Sequence, residues 1–272
     1  MKNAFLFLLM LCAGAASAQV KLEKLWETKD LATPESVLPF NGLLYVSLID
    51  GEGNKADGKG GVAILKPNGE IADNNWVTGL NAPKGLGIFK GKLYVADLSE
   101  VVKIDLKTAK IEAKIPVEGA IFLNDIAINK AGEVFVSDTR LAKVYKIKND
   151  KVELYADSVN NANGLKFIND ELYILSGPQL VKFDKNKNKT LIASGLASGG
   201  DGLEPYKNGD FIATCWVGLV YHIKADGTLH LLMDTRADKI NTADIGIDPT
   251  KNLLYIPTFL KNSVVAYRIV ED

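Results

Sequence analysis

The chain has 272 residues, of which 47% are hydrophobic and 24% are charged, and its formal net charge is −1 at pH 7. That length can bury a sizeable core, either as one large all-β domain or as two smaller domains. A nearly neutral chain gives no electrostatic reason to expect nucleic acid or a membrane surface as a partner. Val, Ile, Tyr and Phe alternate with polar residues, and Gly, Asn and Asp recur between them, which is typical of strands and turns.

The first 18 residues predict an export signal. Lys2 precedes an apolar run, and small residues then lead to an Ala-Ser-Ala sequence before Gln19. This order is typical of a cleavable secretory signal, and the apolar run is too short to span a bilayer. We therefore expect a mature chain of residues 19–272 that is periplasmic or secreted and has no membrane contact. Lipidation at Cys12 is the alternative.

Chemistry based on thiol or imidazole side chains is not expected. After cleavage the only cysteine is Cys215, which lies in a strand-like run, so the mature chain has no intramolecular disulfide and this thiol should be buried and inert. His222 and His230 lie in strand-like patterns as well, and no Cys/His cluster is present. A zinc site is therefore a poor prediction.

An internal repeat organises the rest of the chain. Six apolar segments carry an aromatic residue at the same position, at intervals of 49, 41, 38, 38 and 44 residues. Each interval has room for about four short strands with their turns. A short apolar strand precedes each segment and a third strand follows it. The six aromatic residues are Tyr45, Tyr94, Phe135, Tyr173, Phe211 and Tyr255.

The last repeat lacks a fourth strand, because the chain ends soon after its third. A strand-like segment over residues 21–27 can supply the missing strand from the other end of the chain. Such an arrangement closes a ring and removes its exposed sheet edges. The sequence therefore predicts an all-β fold, a six-bladed β-propeller with four antiparallel strands per blade. A β-sandwich or jelly roll predicts neither six equivalent units nor a displaced strand.

The starts of the innermost strands predict a metal site at the propeller axis, because these positions converge there from separate blades. Single Asn-Gly and Asp-Gly pairs are more often turns, but here oxygen donors recur in the same slot of the repeat. Two carboxylates and two amides around open space suit a hard cation such as Ca²⁺. The donors are Glu35, Asn124, Asn163 and Asp201, while blades two and six place Lys84 and Ala243 in this slot.

The short motifs around these donors resemble one known family. The order Pro34-Glu35-Ser36, Leu123-Asn124-Asp125, Asn163-Gly164-Leu165 and Asp201-Gly202-Leu203 is similar to that of the senescence marker protein/gluconolactonase (regucalcin-like) family. It is more distantly similar to the paraoxonases and the diisopropyl fluorophosphatases. The resemblance spans nearly the whole mature chain and implies a six-bladed propeller. It also implies a divalent metal, usually calcium, held by these four donors, and the hydrolysis of lactones or other esters.

A hydrolytic mechanism follows from such a site. The cation would polarise a lactone carbonyl and stabilise the oxyanion that forms on attack. Asp201 is the first candidate to orient or deprotonate the attacking water, and Asp138, at the end of a second strand, is the second catalytic candidate. Lys84 and Asp97 are predicted to contact the substrate, a small lactone or ester.

Two other functions stay open. We expect a monomer whichever function applies. The propeller could be a non-enzymatic protein that binds a sugar, another small ligand or a protein, with a purely structural metal. A metal-free enzyme related to strictosidine synthase is disfavoured by the set of two carboxylates and two amides. Open metal coordination beside Asp138 in the pocket favours an enzyme, and a filled channel favours a binding protein.

Overall fold

Six four-stranded antiparallel sheets, numbered here as blades in chain order, surround a common axis in the computed structural model, which describes residues 19–271. The predicted six-bladed propeller is confirmed. The predicted signal segment, residues 1–18, lies outside the described residues. No helix of residues 19–271 has the length and apolar character needed to cross a bilayer.

The strands are numbered β1 to β24 in chain order. The innermost strands are β2 (Pro34–Phe40), β6 (Pro83–Phe89), β10 (Leu123–Ile128), β14 (Ala162–Ile168), β18 (Leu203–Pro205) and β22 (Gly246–Asp248). The second strands are β3 (Leu43–Leu48), β7 (Lys92–Asp97), β11 (Val134–Asp138), β15 (Glu171–Ser176), β19 (Phe211–Cys215) and β23 (Leu253–Pro257).

The outer half of each blade follows the same order. The third strands are β4 (Gly60–Leu65), β8 (Glu100–Asp105), β12 (Lys143–Lys148), β16 (Gln179–Phe183), β20 (Leu219–Ile223) and β24 (Val264–Glu271). The outermost strands are β5 (Ile71–Leu80), β9 (Ile111–Pro116), β13 (Lys151–Ala156), β17 (Lys189–Ser194), β21 (Leu229–Asp234) and β1 (Val20–Thr28). Single 3₁₀ turns cover Lys207–Gly209 and Phe259–Lys261.

The N-terminal strand closes the ring as the sequence predicts. Strand β1 pairs antiparallel with β24, from Val20 opposite Glu271 to Thr28 opposite Val264. Blade six therefore contains both ends of the described chain. Its outer edge is formed by a strand that is distant in sequence, so the ring needs no further pairing to close.

The core lies between the blades, and this explains the repeating aromatic residue. Every residue of the third strand β4 is buried, whereas every residue of the outermost strand β21 is exposed or half-buried. The strands inside the outermost one pack on neighbouring blades, and the outermost strand faces solvent. Phe135 of blade three packs on Phe167 of blade four with ring centroids 4.6 Å apart. Tyr173 packs in the same way on Phe211 of the next blade, at 4.9 Å. Each copy of the aromatic residue thus joins neighbouring units.

Trp26 should contribute more to ring closure than its neighbour in β1. Its ring lies 5.8 Å from that of Tyr255, and its Nε1 donates to the carbonyl of Pro67 in blade one. We expect Trp26→Ala to lower the free energy of unfolding by about 3 kcal/mol. The control Leu25→Ala removes a side chain that is 41% exposed, and should change it by less than about 0.5 kcal/mol. Urea unfolding measures both, and equal effects would contradict this account of closure.

Candidate functional site

A β-bulge at the start of four of the six innermost strands directs three of the predicted ligand residues, Glu35, Asn124 and Asn163, towards the axis, whereas Asp201 lies just before the regular strand β18. The pairing of β2 with β3 shifts between Pro34 and Val37, so Glu35 and Ser36 together oppose one residue. The same shift occurs in β6, β10 and β14. A bulge re-aims side chains that a regular ladder would turn alternately inwards and outwards. The residues released in these three blades are Lys84 with Gly85, Asn124 with Asp125, and Asn163 with Gly164.

Hydroxyl groups of the second strands accept backbone N–H groups at two of these bulges, in blades one and three, and at the residue before β18 in blade five. Ser47 Oγ accepts from the Ser36 N–H at 2.9 Å, and the Thr214 hydroxyl accepts from the Gly202 N–H at 2.8 Å. In blade three Ser137 Oγ accepts from the Asp125 N–H at 3.0 Å. An unpaired buried N–H would destabilise the fold, so these hydrogen bonds offset the free-energy cost of the irregular backbone at the axis.

Glycines allow neighbouring blades to approach closely at the axis. A methyl group on Gly202 would lie 2.5 Å from the backbone nitrogen of Ile245 in blade six. A methyl group on Gly164 would collide with the carbonyl oxygen of Asp201. Real side chains do not tolerate such contacts with backbone atoms, so the blades can meet at this distance only through glycine.

The four predicted donors all line one cavity, and each has a buried oxygen without a hydrogen-bond partner. Asn163 Nδ2 donates to Asp201 Oδ1 at 2.7 Å, which fixes both side chains and leaves their other oxygens unpaired. Leaving a buried polar atom unpaired is costly. Within residues 19–271 the side-chain atoms in this condition are Glu35 Oε2, Asn124 Oδ1, Asn163 Oδ1 and Asp201 Oδ2.

These oxygens fit a hard divalent cation. Carboxylate and amide oxygens are the donors that Ca²⁺ prefers, and water or a ligand can complete its coordination. No cluster of three or more His, Cys, Asp and Glu side chains that could hold a metal occurs in residues 19–271. Because two of the four donors are carboxylates and two are amides, the set suits calcium better than zinc.

Negative charge at the axis is poorly compensated by the protein itself. Burial raises the pKa of Asp201 to about 7, and repulsion from Asp244 adds to this shift. Burial, and to a smaller extent repulsion from Asp201, holds the pKa of Glu35 well above its usual range. Burial lowers the pKa of Lys84. Its Nζ donates to the carbonyls of Ala82 at 2.9 Å and Gly53 at 3.3 Å. An additional positive charge would relieve this arrangement.

A second layer of buried charges lies deeper along the axis, and its members satisfy one another. Lys166 Nζ lies 3.0 Å from Glu204 Oε1, Ser36 Oγ donates to Asp244 Oδ2 at 2.6 Å, and Asp125 Oδ2 accepts from a backbone N–H at 2.6 Å. Burial lowers the pKa of Lys166, but the carboxylates around it raise it by more.

The sequence contained a signal for this layer that the repeat analysis did not use. Gly164-Leu165-Lys166 and Gly202-Leu203-Glu204 place opposite charges at the same position of two buried strands. Charged residues are almost never fully buried unless they are paired, so two of them at equivalent inner-strand positions indicate a contact between blades.

The predicted roles of Asp138 and Asp97 are corrected by their positions. Asp138 is fully buried, and its carboxylate accepts four backbone N–H groups, from residues 121, 122, 140 and 141. Asp97 is also fully buried and accepts the backbone N–H groups of Asn81 and Ala82. Neither lines the cavity. Both carboxylates hold loops in place, so Asp138 is not positioned as a base and Asp97 does not reach a substrate.

The rim of the cavity was not predicted. The cavity has a volume of about 440 Å³, and Lys84 lines it as expected, together with Gly53 and Asn54 of the long loop between β3 and β4. Most other rim residues come one or two positions after a second strand, a regularity that the repeat register could have revealed. They are Ile49, Arg140, Trp216 and Phe259, with Phe122 just before β10.

No protein-family model and no curated protein matches the sequence. Among solved structures, a gluconolactonase from Xanthomonas campestris is 16% identical, with 93% of this chain and 90% of that chain covered and a TM-score of 0.68. A luciferin-regenerating enzyme is 15% identical, with 93% and 95% covered and a TM-score of 0.66. Virginiamycin B lyase from Staphylococcus aureus with quinupristin is 12% identical, with 93% and 100% covered and a TM-score of 0.65.

These likenesses show a shared fold over the whole described chain. The presence of a gluconolactonase and a luciferin-regenerating enzyme among the similar structures is consistent with the resemblance to the senescence marker protein/gluconolactonase family.

The close approach of blades five and six can be tested with two glycines of one loop. We expect Gly202→Ala to lower the free energy of unfolding by about 2 kcal/mol, because its methyl group would press on the backbone of blade six. The control Gly199→Ala has open space around the new methyl group, and should change stability by less than about 0.5 kcal/mol. Urea unfolding measures both, and a Gly202→Ala protein as stable as the control would contradict the packing described here.

Proposed function

We propose that this protein is an exported, metal-dependent hydrolase of lactones or other small esters. One observation carries the proposal: four side chains from four blades present unpaired buried oxygens to one accessible cavity. A polar cluster at the bottom of a concave pocket is the arrangement expected of a small-molecule site. Export rests on the N-terminal sequence pattern alone.

Glu35, Asn124, Asn163 and Asp201 would hold the cation, with Ca²⁺ as the first candidate. When bound, a divalent cation supplies Lewis-acid activation of an ester carbonyl. Its charge would offset the two buried carboxylates, whose raised pKa values reflect burial and mutual repulsion.

The other steps fall to the side chains that line the cavity. Asp201 is the candidate to orient the attacking water and to accept its proton, with Asn163 holding its other oxygen in place. Lys84 is the candidate to bind a substrate oxygen. Its ammonium group has three N–H donors, of which two are directed to the carbonyls of Ala82 and Gly53. The apolar rim limits the access of bulk water to the reacting carbonyl.

The cavity also bears on the choice between an enzyme and a binding protein. The deeper layer of charges fills the axis, but the space above the four oxygens is open and large enough for a small molecule. This geometry favours an enzyme, and a binding protein with a structural metal becomes an outcome of the activity test below.

Cation binding is tested by thermal unfolding after treatment with a chelator. Calcium at about 100 times its dissociation constant should raise the Tm of the wild-type protein by about 5 to 10 °C. Asp201→Asn and Glu35→Gln each remove one donor charge and should abolish most of this increase. Without calcium both variants should be at least as stable as wild type, because each loses a buried and poorly compensated carboxylate.

The matched control is Asp226→Asn, which changes a carboxylate in a surface turn where it accepts the Thr228 N–H. It should retain the full response to calcium. A wild-type Tm that does not respond to any divalent cation would contradict the proposed metal site.

Hydrolysis is tested on a panel of lactones and esters with and without calcium. Wild type should turn over at least one class of substrate in a calcium-dependent manner. Asp201→Ala and Glu35→Ala should lose at least about 100-fold in kcat/KM, whereas Asp226→Asn should keep its activity. If calcium stabilises the protein but no lactone or ester is hydrolysed, the metal is structural and the hydrolase proposal is wrong.

A further inference from the structure

Above the axis donors the walls of the cavity carry four large apolar side chains. Ile49, Phe122, Trp216 and Phe259 line it, and the rings of Trp216 and Phe259 meet edge to face with centroids 5.4 Å apart. Trp216 is 40% exposed at the mouth of the cavity. The hydroxyl of Thr139, the only one on the rim, already donates to the carbonyl of Ala162. Apart from the four axis donors, the charged and amide side chains of the lining that could bind a further polar group are those of Asn54, Lys84 and Arg140.

Arg140 presents a positive charge at this rim without a matching carboxylate. Its guanidinium lies 4.4 Å from the ring centroid of Phe122, and no ion pair to it occurs within residues 19–271. By contrast, Arg236 on the outer surface pairs with Asp234 at 2.6 Å. The nearest candidate partner, Asp138, uses both carboxylate oxygens for backbone N–H groups, including that of Arg140 itself.

Arg140 is exposed at the rim, where its backbone and its side chain each have one partner and its guanidinium N–H groups remain available. The hydrogen bond from its backbone to Asp138 holds the main chain, and the contact with Phe122 holds the side chain. A guanidinium with unused N–H groups can bind a carboxylate through two parallel hydrogen bonds.

The charges of the cavity favour a negatively charged ligand. Four ionisable side chains line it, with Glu35 and Asp201 negative and Lys84 and Arg140 positive, so the wall is neutral in total. A divalent cation on the axis oxygens would make the total of the lining +2, while the deeper layer of Lys166, Glu204, Asp125 and Asp244, which does not line the cavity, carries the opposite charge in excess. A cavity with excess positive charge and apolar walls attracts an anion more strongly than a neutral molecule of the same shape.

We propose that the substrate is an ester or lactone with an apolar body and a carboxylate group, and that Arg140 determines this specificity. The carboxylate pairs with the Arg140 guanidinium, and the apolar body lies against Phe122, Trp216 and Phe259. In the reaction the water oxygen bonds to the carbonyl carbon, the ester C–O bond breaks, and a water proton passes to the released alkoxide. The hydrolysis step of this proposal rests on the proposed function, whereas recognition of the carboxylate by Arg140 does not.

Binding of an unreactive pair of ligands tests the recognition step separately from catalysis. Titration calorimetry on the calcium-loaded protein compares 3-phenylpropionate with 3-phenylpropanamide, which has the same shape without the charge. Wild type should bind the carboxylate at least about tenfold more tightly than the amide. In Arg140→Gln this preference should fall to less than about twofold, and Arg140→Lys should recover part of it.

The control Arg236→Gln makes the same substitution outside the cavity and should keep the full preference. Equal affinity of wild type for the two ligands would overturn the proposal. So would a preference that persists in Arg140→Gln, because the carboxylate would then be recognised elsewhere, for instance by the cation. Thermal unfolding of each variant verifies that it is folded.

Kinetics then separate this proposal from the proposed function. The substrates are an alkyl-substituted δ-lactone, its analogue with a terminal carboxylate, and glucono-δ-lactone. The carboxylated lactone should have the highest kcat/KM, and Arg140→Gln should reduce its value at least about tenfold more than that of the neutral lactone. Hydrolysis in which glucono-δ-lactone is the best substrate overturns the inference and leaves the hydrolase. Carboxylate binding that depends on Arg140, without any hydrolysis, overturns the hydrolase and leaves the inference.

Discussion

Crowding at the axis is the constraint on which the rest of this structure depends. Six innermost strands converge there, and at Gly164 and Gly202 the backbones come too close for any side chain. The bulges of β2, β6, β10 and β14 take two residues per blade out of the ladder, so that polar side chains such as Glu35 and Asp125 turn into the space around the axis. Buried polar groups here follow from closing a ring of sheets, and each must find a partner or destabilise the fold.

The two layers of polar side chains meet this requirement in different ways. In the deeper layer Lys166 pairs with Glu204, and Asp125 accepts backbone N–H groups, so the buried polar atoms of this layer have hydrogen-bond partners within the protein. In the upper layer Asn163 supports Asp201, yet four oxygens remain unpaired beside the cavity. This difference in hydrogen bonding between the two layers is more informative about a ligand site than the burial of any single group. A fold that can satisfy its buried charges in one layer and leaves them open in the next has the open layer available for a ligand.

The propeller and its axis donors could be predicted because the same sequence pattern recurs in six repeats. The aromatic residue of each copy reports packing between blades, as Phe135 on Phe167 does, and the slot before each inner strand returns at the same register. The rim was missed although Arg140, Trp216 and Phe259 each come one or two positions after a second strand, because their residue types differ and no shared side-chain chemistry marks the position. Asp138 was assigned wrongly for a related reason. An acid at the end of a strand looks the same in sequence whether it faces solvent or caps backbone N–H groups, and only the path of the loop decides.

This division between ring and rim also indicates how such a propeller can change its ligand. The axis donors are fixed by strand pairing, so altering them disturbs the ring, whereas the rim residues are carried by loops that can vary without moving the strands. Structures only 12% to 16% identical to this chain keep its fold along their whole length. The two parts meet at Asp138, whose four backbone contacts fix both the segment with Phe122 and the turn with Arg140. The Asp138 carboxylate does not line the cavity itself, and it holds the backbone segments that carry two of the lining side chains, Phe122 and Arg140.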